Sequence, residues 1–511
     1  MRIGIIELLV SGPVSDIRGL MYSRILTRQY ISIMPQVISV WCKQLGHTTH
    51  YAVYHGQPDP LKLLPDDIDF VFIATYTQCS ALAYALAKLF RRNGVKTVIG
   101  GPHAKAFPTD ASRYFDYVVQ DCDKNLIQEV LRGDHSPGIV TTGKQIGALP
   151  LAEERDAEIR TALFSKSDKS FSIVPLIASV GCPYDCSFCV DWNVNYRPLS
   201  TEQLVADMSY VKRTFPKALV AFHDPNFAVQ FDRTMDALAM LAPAERPGYI
   251  MESSLSIIKP SRMARLRETG CFAALPGVES WADFSKKAGT GAAAPDAKLG
   301  QVIEHLEELS TYVSTIQANL IFGTDADAGS MPVELTKTFI NSMPSVWPAV
   351  NVPIPYGGTP MTRRLMHEGR VATRLPFSFY KNPYPVMRTA HYDYVDYYRH
   401  WIDIRKQQAN LGLLSRRLRT KSSATIKAMY LARTIKMYPG IKLANALRMQ
   451  FQTDLAFRRF HERNEGPLPE FYHAEYDREL GRFAELMPRS EREPVHETIG
   501  EPLSAETELA L

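Results

Sequence analysis

Short apolar runs alternate with helix-spaced amphipathic stretches along most of this chain. In the first part, apolar runs at 3–10, 49–54, 70–76, 96–99 and 117–119 predict strands, and apolar positions three and four apart predict helices at 35–45, 80–93 and 124–132. Strands separated by helices of this length predict a parallel, doubly wound sheet over 1–145, which takes ligands beyond the carboxyl ends of its strands. Residues 146–170 are polar and charged and read as a linker. From 171 to 365 the alternation resumes, with six strands expected at 173–180, 219–222, 249–253, 272–275, 316–321 and 349–353. Ser200 and Gln203 have the spacing of a capping box at a helix start. Residues 366–475 read as mainly helical, and the polar, acidic stretch 476–511 as a partly disordered tail.

At 511 residues the chain has room for two or three domains. The uncharged run 70–87 carries Thr75, Tyr76, Thr77, Gln78 and Ser80 in its middle, so it reads as a buried strand turning into a buried helix rather than a membrane span. The opening MRIGIIELLV lacks the pattern of a signal peptide and reads as a first strand. Seven cysteines, an odd number, argue against a disulfide framework and for a reducing, cytoplasmic setting. The net charge of +4 is unevenly spread: eleven Lys or Arg and no Asp or Glu fall between Ile404 and Thr453. Such a segment is either a solvated helical face or a contact for an acidic substrate, anionic lipid or nucleic acid, and no sequence feature points to a specific nucleic acid partner.

The chemistry is concentrated in Cys182-Pro-Tyr-Asp-Cys186-Ser-Phe-Cys189, three thiols within eight residues at the end of an apolar run. Three thiolates can hold three irons of a cubane cluster and leave the fourth iron open to a substrate. The competing readings are a structural zinc knot and three unrelated buried thiols; zinc prefers four ligands in paired spacing, and no second pair is present.

This C-x3-C-x2-C string, with Phe188 just ahead of the third cysteine, resembles the cluster loop of the radical S-adenosylmethionine (SAM) superfamily. The resemblance implies a [4Fe-4S] cluster on Cys182, Cys186 and Cys189. It further implies S-adenosyl-L-methionine bound at the open iron and cleaved by one electron to a 5′-deoxyadenosyl radical. The turn Gly100-Gly101-Pro102-His103 after the fourth run resembles the cobalamin-binding-type domain that precedes many radical SAM barrels. The implied fold class is α/β: a doubly wound, Rossmann-like domain, a partial (β/α)6 barrel open on one side, then a helical C-terminal region. In that class Gly100, Gly101 and His103 are candidates to contact cobalamin. The Asp-x-His-x-x-Gly loop that offers a cobalt ligand in cobalamin mutases is absent; the nearest string, Asp16-Ile17-Arg18-Gly19, has arginine in the histidine's place. A guanidinium has no lone pair for a metal, so cobalamin, if bound, takes no histidine from that loop.

The same resemblance marks a SAM pocket. Asp224 and Asn226, after the second barrel strand, stand where the family receives the SAM ammonium, with His223 beside them. Gly277, Glu279 and Ser280 match the family's Gly-x-Glu-Ser string, Glu252 is a further inward-facing candidate, and Phe322 and Gly323 match the string that packs the adenine. Tyr356-Gly357-Gly358-Thr359-Pro360 resembles a turn that either borders substrate or only reverses the chain. The aromatics Tyr392, Tyr394, Tyr397, Tyr398 and Trp401 read as core.

Three functions compete. The first is a cobalamin-dependent methyltransferase acting on an unactivated carbon. The second is a radical SAM oxidoreductase, cyclase or rearrangement enzyme without methyl transfer, with a methylthiotransferase as a variant should Cys42, Cys79 and Cys122 carry a second cluster. The third is a membrane- or partner-binding protein with a degenerate barrel. The enzymatic readings require a small-molecule or lipid-like substrate and an electron donor such as flavodoxin or ferredoxin.

Overall fold

The computed structural model describes residues 1–14, 17–163, 172–282, 284, 288–290 and 293–497. The part of the expected linker at 164–171 and the end of the tail, 498–511, lie outside the described residues.

The first six strands are Arg2–Leu8 (β1), Thr48–Tyr54 (β2), Phe70–Thr75 (β3), Lys96–Gly100 (β4), Tyr117–Val119 (β5) and Gly138–Val140 (β6). They form one parallel sheet in the order β2-β1-β3-β4-β5-β6. Side chains alternate across a strand, so Ile3 and Ile5 of β1 pack with Val37 and Trp41 of the helix Ile33–Gln44, while Ile6 and Leu8 join Leu82 and Leu86 of the helix Ser80–Arg92 on the other face. Strand order reverses between β1 and β3, and a crevice beyond the carboxyl ends is the usual ligand site at such a point. The short edge strand β6 has too few residues to carry a periodic signal and was not among the expected strands.

The second sheet contains Ser172–Leu176 (β7), and Ser179–Val180 (β8) pairs antiparallel with Arg197–Pro198 (β9) beside it. Its other strands are Ala218–Phe222 (β10), Tyr249–Ser254 (β11), Cys271–Glu279 (β12), Thr315–Ile321 (β13) and Val346–Asn351 (β14). The order β14-β13-β12-β11-β10-β7 is wholly parallel and leaves β14 and β7 unpaired with each other, so the barrel is partial and open on one side. Each strand is followed by a helix, from Thr201–Thr214 to Pro360–His367. The strand expected at 349–353 lies earlier because Pro348 belongs to β14; as an edge strand, β14 tolerates a residue without an N–H. Ser200 caps the Gln203 amide at 3.0 Å, but the Gln203 side chain bonds the Leu149 carbonyl at 3.2 Å instead of closing a capping box.

Two stretches differ from expectation. Within the linker, the helix Asp156–Leu163 buries Ile159, Ala162 and Leu163, and Glu158 accepts from Ser39 Oγ (2.6 Å) and Lys43 Nζ (2.5 Å) of the first domain. Its charged residues hid an apolar face only three positions wide. Residues 476–497 are folded: the helix Glu470–Leu480 and the turns after it return to the first domain, where Tyr114 Oη donates to the Glu491 carbonyl at 2.9 Å and the Val495 amide to Asp110 at 2.9 Å. The C-terminal helices Tyr394–Gln408 and Ala424–Thr453 pack on the barrel, with Tyr394 stacked on Phe451 at 4.2 Å and Arg433 bonded to Gln317 of β13 at 2.9 Å. Tyr398 and Trp401 are fully covered, in keeping with a core role.

Candidate active site

The cysteine loop lies between β8 and β9, which staple its ends together. Gly181 is at φ 72°, and a Cβ there would sit 2.2 Å from the Asn195 carbonyl oxygen, so only glycine admits the close crossing of the loop's two ends. Inside the loop the Cys182 amide donates to Val194 (3.0 Å) and the Cys189 amide to Cys186 (2.9 Å). Outward ties fix its position. Tyr184 Oη meets Ser256 Oγ at 2.5 Å, Trp192 Nε1 donates to the Gly358 carbonyl at 3.1 Å, and the Met361 amide donates to Ser187 at 2.9 Å. Cys182 is buried, and Cys186 and Cys189 are half-buried.

All seven cysteines are free thiols. Among the described residues no three His, Cys, Asp or Glu side chains converge on a position for a single metal ion. A cubane makes a different demand, one thiolate for each of three irons. The loop fits it: three thiols on one braced turn at a barrel mouth, with an N–H donor already directed at one sulfur. That donor is Asn226, whose Nδ2 lies 3.8 Å from Cys182 Sγ. By contrast, burial pushes the Cys42, Cys79 and Cys122 thiols up to about 12, which makes them poor thiolate ligands.

The expected SAM contacts change roles when their partners are read. Asp224 is buried, and its carboxylate accepts from the Ala178 amide (3.0 Å) and Ser179 Oγ (2.5 Å), the residues leading into the cysteine loop. It braces that loop, and burial pushes its carboxyl up to about 6. The Asn226 carbonyl oxygen accepts from the Ser254 amide at 3.0 Å, so its available chemistry is the N–H toward sulfur. His223 is held by burial at about 4 and stays a neutral imidazole.

At the end of β12, register slips between Gly277 and Glu279, and Glu279 adopts φ 65°. A buried, non-glycine residue in the left-handed region at a bulge is the kind of strain found at functional sites. Ser280 Oγ donates to Asp327 at 2.9 Å, and the other Asp327 oxygen accepts from the Gly323 amide (2.9 Å), the Thr324 amide (3.0 Å) and Thr324 Oγ1 (3.0 Å). Ser280 therefore belongs to a clamp joining the ends of β12 and β13. Its hub, Asp327, was not identified from sequence, where nothing separates it from Asp325, which pairs with Arg364 and Arg370.

The Phe322 ring stacks on Tyr397 (5.6 Å, 9°), and a Cβ on Gly323 would meet Tyr397 at 2.7 Å, so both residues contact the C-terminal helix Tyr394–Gln408. On β11, Tyr249 Oη reaches Thr269 of the surrounding helices at 2.9 Å, which places Glu252 on the opposite, concave face, where it is exposed. Gln317 and Asn319 on β13 share that face, alternating with buried Ile316, Ala318 and Leu320.

Between the two sheets lies a cleft of about 330 Å³ lined by Gln78 after β3, Phe188 of the cysteine loop, Ile321 and Asn351 at the barrel strand ends, Tyr356, and Tyr380 to Asn382. Phe188 stacks on Phe284 (5.1 Å, 13°), a pairing unforeseen from sequence. The turn after β14 touches the first domain so closely that a Cβ on Gly357 would fall 1.7 Å from the Ala106 carbonyl oxygen. Tyr380 Oη and Asn382 Oδ1 are buried polar atoms with no hydrogen-bond partner among the described residues. Both residues line the cleft wall, but the orphaned atoms themselves are buried behind it. The volume is that of a drug-sized site, ~300–1,000 Å³, so a whole corrinoid needs the two sheet ends further apart than they stand here.

His103 does not reach this cleft. It is fully buried, its Nε2 is 2.6 Å from Tyr84 Oη, and burial drives its imidazole down to about 3. A Cβ on Gly101, at φ 94°, would lie 3.1 Å from the Thr75 carbonyl oxygen, so this glycine lets β4 run close to β3, with Gly100 ahead of it. The string Asp16 to Gly19 begins outside the described residues.

No protein-family model matches the chain. It is 26% identical over 328 residues to bacteriochlorophyllide d C-8(2)-methyltransferase of Chlorobaculum tepidum, spanning 60% of this chain and 70% of that protein. It is 25% identical over 202 residues to hopanoid C-2 methylase of Rhodopseudomonas palustris, 38% of each chain. Two solved structures share the fold. TsrM from Kitasatospora setae, a radical SAM methyltransferase with cobalamin and a [4Fe-4S] cluster bound, superposes with a TM-score of 0.50 at 12% identity, covering 76% of this chain and 82% of that one. The cobalamin-dependent radical SAM enzyme OxsB superposes with a TM-score of 0.55 at 12% identity, covering 89% and 74%. With a braced cysteine triplet at the mouth of an open six-stranded barrel and a doubly wound domain ahead of it, the chain has the fold of these two cobalamin-binding radical SAM enzymes and is similar in sequence to the two methyltransferases.

Proposed function

We propose that this protein is a radical SAM methyltransferase that uses a corrinoid and methylates an unactivated carbon of a small, largely apolar molecule. The observation that carries the reading is the cleft: the cysteine loop, the barrel strand ends and the carboxyl edge of the first sheet all line one space. The curated relatives are named for methylating numbered carbons of a bacteriochlorophyllide and a hopanoid, which supports carbon as the acceptor.

A [4Fe-4S] cluster held by Cys182, Cys186 and Cys189 would supply the electron for cleavage of SAM, and a corrinoid, once the two sheet ends part to admit it, would supply the methyl group. The chain's own part is positioning. Asp224 holds the strand end that launches the cysteine loop. Asn226 donates to Cys182, withdrawing charge from sulfur and favouring the reduced state. Glu252 on the concave face and Glu279 at the bulge carry carboxylates of the kind that a SAM ammonium and ribose hydroxyls need. The Phe188–Phe284 stack shields the cleft side of the loop from water, which would otherwise quench a carbon radical. The electron is delivered by a flavodoxin- or ferredoxin-type donor.

The narrow cleft favours a second reading, radical chemistry without methyl transfer and without a corrinoid. Anaerobic reconstitution, reading iron, sulfide, bound corrinoid, 5′-deoxyadenosine and methylated product together, decides between them. Iron and 5′-deoxyadenosine without corrinoid uptake would establish the second reading. Normal SAM cleavage by Cys182→Ala, Cys186→Ala or Cys189→Ala would refute both.

A further inference from the structure

The helix Ala424–Thr453 is apolar on two opposite faces. One packs inward through Ile426, Tyr430, Ala444, Leu447 and Phe451. On the other, Leu431, Ile435, Tyr438 and Met449 follow one another at helical spacing, with Lys442 and Ala446 completing the row, and they stand 44%, 58%, 51% and 50% exposed. A helix with apolar residues all round is normally covered on both sides. The outward row runs from 431 to 449, about 27 Å at 1.5 Å per residue. Lys427 and Lys442 accompany it, and no acidic residue occurs between Ile404 and Thr453. Among the described residues no helix is long and apolar enough to cross a membrane.

We infer that this face docks on an anionic lipid surface, with Leu431, Ile435, Tyr438 and Met449 entering the headgroup boundary and the lysines at the phosphates. An anionic bilayer interface rewards the combination seen here, an apolar stripe with flanking lysines and no acidic residue in the segment. Tyr438 suits that boundary, with an apolar ring and a polar hydroxyl. The inference concerns residues that do not line the cleft and stands apart from the proposed chemistry.

The test is co-sedimentation of the full, cluster-loaded chain with vesicles of phosphatidylcholine and phosphatidylglycerol in two-to-one ratio, against phosphatidylcholine alone. Binding is expected only to the anionic vesicles and should fall as salt is raised. Losing one lysine near the surface weakens partition about fivefold, so Lys427→Gln with Lys442→Gln should weaken it roughly twenty-five-fold, and Leu431→Gln with Ile435→Gln should abolish it. SAM cleavage by these variants should match the parent, which keeps failure of docking distinct from failure of the enzymatic reading. The inference is overturned by absence of binding to anionic vesicles, or by binding that neither pair of substitutions alters. It is equally overturned by a lipid-free dimer in light scattering that Leu431→Gln with Ile435→Gln dissociates, since a second copy would then cover the face.

Discussion

Replacing Asn226 by leucine should lower the reduction potential of the reconstituted cluster. Asn226 is buried and uses both ends of its amide, with Nδ2 at 3.8 Å from Cys182 Sγ and Oδ1 receiving the Ser254 amide at 3.0 Å. An N–H directed at a cysteinyl sulfur stabilises the more negative, reduced cluster more than the oxidised one. A net hydrogen bond of ~0.5–1.5 kcal/mol corresponds to ~20–60 mV for a one-electron couple. Leucine has nearly the same volume, so packing is largely kept, but the Ser254 amide loses its acceptor, at ~1–3 kcal/mol of folding stability. The assay is an anaerobic redox titration followed by electron paramagnetic resonance, with a thermal melt of the same sample to separate loss of fold from change of potential. Asn226→Asp should lie lower still, because a carboxylate then replaces the donor. A potential that stays put or rises in Asn226→Leu, in a folded and iron-loaded sample, would refute the assignment of this amide to the cluster.

Other outcomes follow from the same geometry. Burial raises the Glu7 carboxyl to about 7 against Ser32 and Tyr51. Because the folded pKa lies above the unfolded one, the native state binds the extra proton, and Glu7 costs stability progressively as pH rises from about 4.5 to about 7. Glu7→Gln should therefore gain on the parent by ~3 kcal/mol across that window in urea titrations; a constant difference would contradict it. Asp327→Ala strands the Gly323 and Thr324 amides and uncouples the ends of β12 and β13, so KM for SAM should rise about tenfold with a smaller change in kcat. An unchanged KM would remove Asp327 from the site. Gly357→Ala places a Cβ against the Ala106 carbonyl and should open the contact between barrel and first domain, seen as faster limited proteolysis and a lower Tm; parent-like digestion would show that the turn relaxes at no cost.

Much of this protein was legible before its structure. Parallel strands buried on both faces read as apolar runs, so five strands of the first sheet and all six of the barrel could be placed from periodicity. Short or disguised elements were not: β6 has three residues, and the helix Asp156–Leu163 hides its apolar side among charges. The pocket residues show a sharper limit. Sequence located Asp224, Asn226, Ser280, Phe322 and His103 at strand ends, as β/α topology demands, but which partner each side chain meets depends on neighbours dozens of residues away. Asp224 is occupied by Ala178 and Ser179, Ser280 by Asp327, Phe322 by Tyr397 and His103 by Tyr84. Periodicity along a chain records burial, which is a local average; hydrogen bonds and ring contacts are pairwise and directional, and only the folded chain brings the pairs together.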